Sequence, residues 1–240
     1  ELLTYEKADV VTVLSDDLRK KLISRIDAES KLRVIPNFVD TEHIYPGVRN
    51  NSYRHELGLT DETIVMYAGN VGFSQPLELL LEAARHLADR DDIIFVINGN
   101  GSRRAYFEQE AEELPNVTFM DYQPRQRLNE VLAAGDIHIV PLQKGLGSIS
   151  VPSKLYSILA AGRPVLVSVD PGTEIDLVVT RSGSGRSVPA GDTQEFISAL
   201  TALVDDPHGR ASAGLEARRA GRTRASAWSC LDVPLLADDV

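Results

Sequence analysis

Short apolar runs alternate along the chain with amphipathic stretches. The runs Val10–Leu14, Leu32–Ile35, Ile64–Ala68, Ile93–Ile97, Val117–Met120, Ile137–Pro141, Val165–Ser168 and Gly185–Val188 are rich in Val and Ile and mostly apolar throughout. Such continuity fits strands covered on both faces, as in a parallel sheet between two helix layers. Between them lie stretches with helical spacing. Pro76–Arg90 places Leu77, Leu80, Leu81, Ala84 and Leu87 on one face, and Arg103–Leu114, Arg125–Ala134 and Thr193–Val204 have the same character. The alternation predicts an α/β fold, a Rossmann-like, doubly wound and mostly parallel sheet. No internal repeat or low-complexity linker interrupts it. Residues 1–240 therefore read as a single domain, with 1–7 as a lead-in segment and about 207–240 as an Arg- and Ala-rich helical tail, loosely held around Trp228.

Composition narrows the function. With 43% hydrophobic and 25% charged residues the chain is an ordinary soluble globular protein. A formal net charge of -10 argues against a nucleic-acid partner, which needs a broad basic surface. A small anion is still accessible, because one ammonium about 4 Å away supplies about 4 kcal/mol at an effective dielectric near 20. Cys230 is the single cysteine, so an intrachain disulfide and a multi-cysteine zinc site are excluded. A reducing, cytoplasmic setting is expected. No apolar run approaches the length needed to span a bilayer. Glu1 is not a natural start, so the chain is expected to be a fragment or a processed product.

Candidate chemistry sits in the loops after the strands, where such sheets bind ligands. Val151–Leu166 reads as a loop, a short helix and a buried strand. Pro152 suits the first turn and Gly162 the close of the helix. Ser153 and Lys154 then lie beside free backbone N–H groups, a setting that suits a phosphate. Lys154 is the foremost candidate, as a cation stabilising a leaving diphosphate. Gly69–Gln75, with Gly69, Asn70, Gly72 and Gln75, is either a plain turn or a phosphate or sugar contact. The same choice holds for Asn98–Ser102, with Gly99 and Gly101, and for Tyr122, Gln123 and Pro124. In Leu142–Ser150, Ser148 and Ser150 either touch ligand or belong to a mobile surface loop.

Other polar residues have simpler explanations. Arg103 and Arg104 read as solvated helix charges. Glu174 and Asp176, like Asp16 and Asp17 after Ser15, read as helix-start residues. His138, inside an apolar strand, reads as a satisfied core histidine. The five histidines lack ligand spacing, so no metal site and no cofactor are expected.

In order and spacing, Ala8–Ser15, Val34–Asp40, Met66–Gly69, Asn98–Gly101, Tyr122–Arg125 and Pro152–Pro164 resemble the C-terminal, donor-binding half of a GT-B glycosyltransferase. The similarity is to glycosyltransferase family 4, also called group 1, and runs from about Ala8 to Asp206. Tyr67–Asn70 with Pro152–Tyr156 resembles a subgroup acting in bacterial capsule, O-antigen or colanic-acid synthesis. The resemblance implies a nucleoside-diphosphate sugar, most often UDP-linked, and transfer to a hydroxyl acceptor. It implies that Tyr122, Gln123 and Pro124 lie against the nucleobase, and that an N-terminal acceptor domain, absent here, completes the enzyme. It also implies peripheral association of that enzyme with the inner membrane face.

Two departures stand out. Where the family often has Arg and Lys after the first glycine loop, this chain has Asn70 and Gln75. Where many members have two glutamates with seven residues between them, it has Ile149 and Ser157. Lys154, with Ser153 and the adjoining backbone, is expected to carry the phosphate charge instead. A nucleotide-sugar epimerase and a noncatalytic nucleotide-sugar-binding module are the alternatives.

Overall fold

Every residue from Ile64 to Tyr67 is fully buried, because helices cover both faces of the sheet that contains them. The computed structural model describes residues 2–25 and 29–229. The chain opens with α1 (Leu2–Lys7), β1 (Val11–Val13), α2 (Asp16–Ile23) and β2 (Leu32–Val34). Next come α3 (Ser52–Glu56), β3 (Thr63–Ala68), α4 (Glu78–His86), β4 (Ile93–Asn98), α5 (Arg104–Glu110) and β5 (Val117–Met120). These are followed by α6 (Leu128–Ala134), β6 (Ile137–Pro141), α7 (Lys154–Ala160), β7 (Val165–Val169) and α8 (Glu174–Ser182). The strand β8 (Gly185–Pro189) and the helices α9 (Thr193–Asp205) and α10 (Pro207–Ser229) complete the order. Cys230 lies outside the described residues, as does residue 230 onward of the expected tail, and the Trp228 side chain is not described.

The expected strands form within a residue of their expected ends, but they do not all join one sheet. β3 to β8 make a six-stranded sheet in the order β5-β4-β3-β6-β7-β8, parallel throughout. β1 and β2 pair only with each other, in register Val11 to Leu32. The doubly wound, mostly parallel sheet expected from the alternation is thus β3 to β8, with β1 and β2 set apart from it.

Side-chain alternation builds both core layers. Val65 and Tyr67 pack in one cluster with Leu80 and Ala84 of α4 and Phe196 and Leu200 of α9. Ile64 and Met66 point the other way and pack with Tyr53, Val131 and Ala134. A third cluster joins Val165 and Val167 to Leu155 and Leu159 of α7 and Ala217 of α10. Buried polar groups are tied into this frame. Asp136, just before β6, accepts from Arg49, Arg54 and the Ile64 N–H. No helix among the described residues is long and apolar enough to cross a membrane.

Candidate functional site

The strand order reverses between β3 and β6, which lie side by side. In open parallel sheets the crevice outside the carboxyl ends at such a reversal takes ligands. Here the loops after β3 and β6 are joined, the Gln143 N–H donating to the Ser74 carbonyl at 3.0 Å. The loops after β3 and β4 continue the ladder, with Gly69 N–H donating to Asn98 O and Val71 N–H to Asn100 O, both at 2.9 Å. Side chains are excluded at this seam. A Cβ on Gly99 would stand 1.9 Å from Gly69 O, and one on Gly101 2.2 Å from Val71 O. Gly99 and Gly101 therefore shape the crevice by close backbone packing, and neither lines the cavity described next.

That cavity, about 200 Å³, is lined by Ala68, Gly69, Asn98, Tyr122, Gln123, Arg125, Leu128, Val131, Leu132, Lys154, Ser157 and Ile158. Lys154 is its unusual member. Instead of reaching into solvent at the start of α7, its side chain turns inward. Nζ is buried without a hydrogen-bond partner and sits 3.9 Å from the centroid of the Tyr67 ring. Gly69 leaves it room, since a Cβ there would fall 2.7 Å from Nζ. Burial pushes the Lys154 amine down to about 7, because desolvation disfavours the charged form. A buried amine without an acceptor, in a cavity wall, is poised for an anion.

The helix beside it differs from expectation. Pro152 precedes α7 rather than opening it, and Ser153, at the N-cap, has helical dihedrals and makes no capping bond. The carbonyls of Pro152 and Ser153 already accept from Leu155 and Tyr156 N–H, so fewer N–H groups are free than the sequence suggested. Gly162 ends the helix in a left-handed conformation as expected.

Of the residues singled out in the sequence, the structure brings Gly69, Tyr122, Gln123, Lys154 and Ser157 to this cavity. Tyr122 is half-exposed and donates to the Asn100 carbonyl at 3.2 Å. Gln123 accepts from Arg127 and donates to Asp121 O. Asn70, Gly72, Gln75, Pro124, Ser148, Ser150, Pro152 and Ser153 are not among its lining residues. The Asn70 carbonyl accepts from the Tyr67 hydroxyl, and Gln75 Oε1 is buried without a partner. Ser148 accepts from Lys21 of α2 at 3.3 Å. The loop that includes Ser148 and Ser150 is fastened, with the Asp170 carboxylate accepting from Gly145 and Gly147 N–H.

Asn98, the first residue of the candidate loop Asn98–Ser102, does line the cavity, whereas sequence reasoning missed Arg125, Leu128, Val131, Leu132 and Ile158 as cavity residues. The apolar ones carry the same periodicity as any core-facing helix. Arg103 and Arg104 are corrected too. Arg103 pairs with Glu78 and stacks on Tyr106 and Phe107, while Arg104 pairs with Glu108 and Asp121. Their side chains keep only 20% and 15% exposure. Ser15 caps α2 as expected, accepting from Leu18 N–H, and Glu174 and Asp176 stand in the first turn of α8. His138 is wholly buried and bonded through Nε2 to Leu132 O, with Nδ1 left without a partner.

The family model for group 1 glycosyl transferases matches residues 62–206. WcaI of Escherichia coli K12, named as a colanic acid biosynthesis glycosyl transferase, is 32% identical over 173 residues, covering 70% of this chain and 42% of that protein. The chain thus spans less than half the length of that relative. Anabaena HepE, solved in complex with UDP and glucose, superposes with a TM-score of 0.77 at 17% identity, over 92% of this chain and 60% of its own. The solved C-terminal domain of the Francisella tularensis group 1 glycosyl transferase LpcC matches with a TM-score of 0.64 at 17% identity, over 78% of this chain and 97% of that one. The sheet is that of the Rossmann-like half shared by GT-B glycosyltransferases, and the chain belongs to the group 1 glycosyl transferase family.

Proposed function

We propose that this chain is the donor-binding half of a glycosyltransferase that moves a sugar from a nucleoside-diphosphate sugar, UDP-linked, to a hydroxyl acceptor. The buried, partnerless amine of Lys154 in the cavity at the sheet reversal carries the reading. A phosphate at about 4 Å from that amine gains about 4 kcal/mol at an effective dielectric near 20. The attraction strengthens as the sugar–phosphate bond breaks and charge gathers on the departing diphosphate. Lys154 thus acts by charge, with no proton passed to the sugar. Tyr122, Gln123 and Asn98 line the same cavity, where amide groups and a half-exposed ring suit a nucleobase. The relation to WcaI, named for colanic acid biosynthesis, supports a bacterial polysaccharide or glycolipid as the product; in this proposal the acceptor is supplied at the inner membrane face and held by an N-terminal domain.

The test is calorimetric titration of the folded chain with UDP, ADP, GDP and uridine, with Lys154→Ala alongside. Selective UDP binding, lost in the variant while uridine binding persists, is the expected result. Equal loss for UDP and uridine removes the phosphate role, and equal affinity for UDP and ADP removes the base preference.

A further inference from the structure

The cavity lining contains two cations, Lys154 and Arg125, and no carboxylate. In a chain of net charge -10, such a local excess needs a cause. The arginines around it are all engaged by acids. Arg103 pairs with Glu78, Arg104 with Glu108 and Asp121, and Arg127 with Glu56 and Glu130. Arg125 differs, being exposed at the cavity rim, with no ion pair among the described residues. It opens the short 3-10 turn Arg125–Arg127, which is held by the Arg127 N–H donating to Pro124 O at 2.8 Å. That turn fixes where Arg125 begins while leaving its guanidinium free.

A nucleoside-diphosphate sugar bears one negative charge on each phosphate. Lys154 answers one of them. The Arg and Lys that the family resemblance implies after the first glycine loop are both missing, since Asn70 and Gln75 stand there, and both lie off the cavity lining. We propose that Arg125 is the second cation of the donor site, meeting the diphosphate from the rim while Lys154 meets it from the wall. Arg125, Leu128 and Ser157 also line an adjoining cavity of about 740 Å³, whose wall includes Asp40 and Glu42, so Arg125 borders both spaces. A guanidinium there offers paired donors to phosphate oxygens, which a lysine offers only as a point charge.

This proposal rests on the donor-site reading, and the experiment separates the two. UDP, UMP and uridine are titrated calorimetrically into the full chain as wild type, Arg125→Gln, Arg125→Lys and Lys154→Met. Arg125→Gln is expected to weaken UDP about tenfold and UMP less, to leave uridine unchanged, and to keep the wild-type melting temperature because the side chain is exposed. Arg125→Lys recovers most of the loss. If Lys154→Met weakens UDP while Arg125→Gln does not, Arg125 is excluded and the donor site stands. If Arg125→Gln weakens uridine as much as UDP, the residue serves the nucleoside and the proposal is overturned. If Lys154→Met leaves UDP binding unchanged, or the folded wild-type chain binds no UDP, the donor reading falls and this proposal with it.

Discussion

The Lys154 amine lies 3.9 Å from the centroid of the Tyr67 ring, and the ring stands where a hydrogen-bond acceptor would otherwise be. A ring face attracts a cation by about 0.5–2 kcal/mol, which does not replace full hydration. Burial therefore draws the amine down to about 7. Above that pH the Lys154 amine of the empty site is neutral, and an arriving diphosphate must restore its charge. UDP binding at pH 8 is expected to take up close to one proton, and affinity to fall up to tenfold for each pH unit above 7. Below pH 7 the amine is already charged, so uptake fades. Calorimetry in buffers of different ionisation enthalpy measures the proton count. A count near zero at pH 8 would show that Lys154 is charged without ligand.

Gly99 tests the architecture of the crevice. Its φ of 153° and the 1.9 Å approach of any Cβ to Gly69 O leave no room for a side chain. The obstacle is backbone, which cannot rotate away. Gly99→Ala is expected to cost about 3 kcal/mol or more in urea unfolding, with UDP affinity lost as the loop after β3 shifts. A stable variant with wild-type affinity would mean that the two loops separate easily.

Much of this fold is legible in the sequence because two-sided burial leaves continuous Val and Ile runs, as at Ile64–Val65 and Val165–Val167. What such runs cannot carry is partnership. Val11–Val13 looks like a strand of the main sheet, yet it pairs with Leu32–Val34 alone. The site divides in the same way. Lys154 is legible as a cation near a loop–helix junction, but its inward turn depends on the space left by Gly69 and the face of Tyr67, far apart in sequence from it. Leu128, Val131 and Leu132 carry the periodicity of any core-facing helix, so nothing local marks them as a cavity wall. Arg103 and Arg104 read as solvent charges because their partners Glu78, in the first turn of α4, and Asp121, after β5, are distant in sequence.

His138 makes the chain sensitive to acid. Burial pushes its imidazole down to about 4, against the hydrogen bond to Leu132 O, which acts the other way. Between about pH 4 and 6.5 the unfolded chain holds a proton that the folded chain does not. Stability therefore rises with pH across this window, and about 3 kcal/mol is lost on acidification through it. His138→Gln keeps a donor for Leu132 O and removes the titration. Urea unfolding at pH 4.5 and 7 is expected to show a smaller difference in the variant than in the wild type. An unchanged difference would assign the acid sensitivity to other groups.

Asp136 is expected to be the most costly single charge to remove. Burial alone would raise its pKa, but the hydrogen bonds from Arg49, the Ile64 N–H and Arg54 outweigh it and keep the carboxyl below the usual range. Arg54 has no exposed surface, and its guanidinium also donates to Ala134 O at 2.7 Å. Removing the carboxylate thus leaves a buried cation without its counter-charge, and the start of β3 without an acceptor for the Ile64 N–H. Asp136→Leu is expected to lose about 3–5 kcal/mol in urea unfolding. The double variant Asp136→Leu, Arg54→Met is expected to recover a substantial part, because the stranded charge is gone while the volume is filled. If the double variant is as unstable as the sum of the two single changes, the pair contributes through separate contacts rather than through its mutual charge.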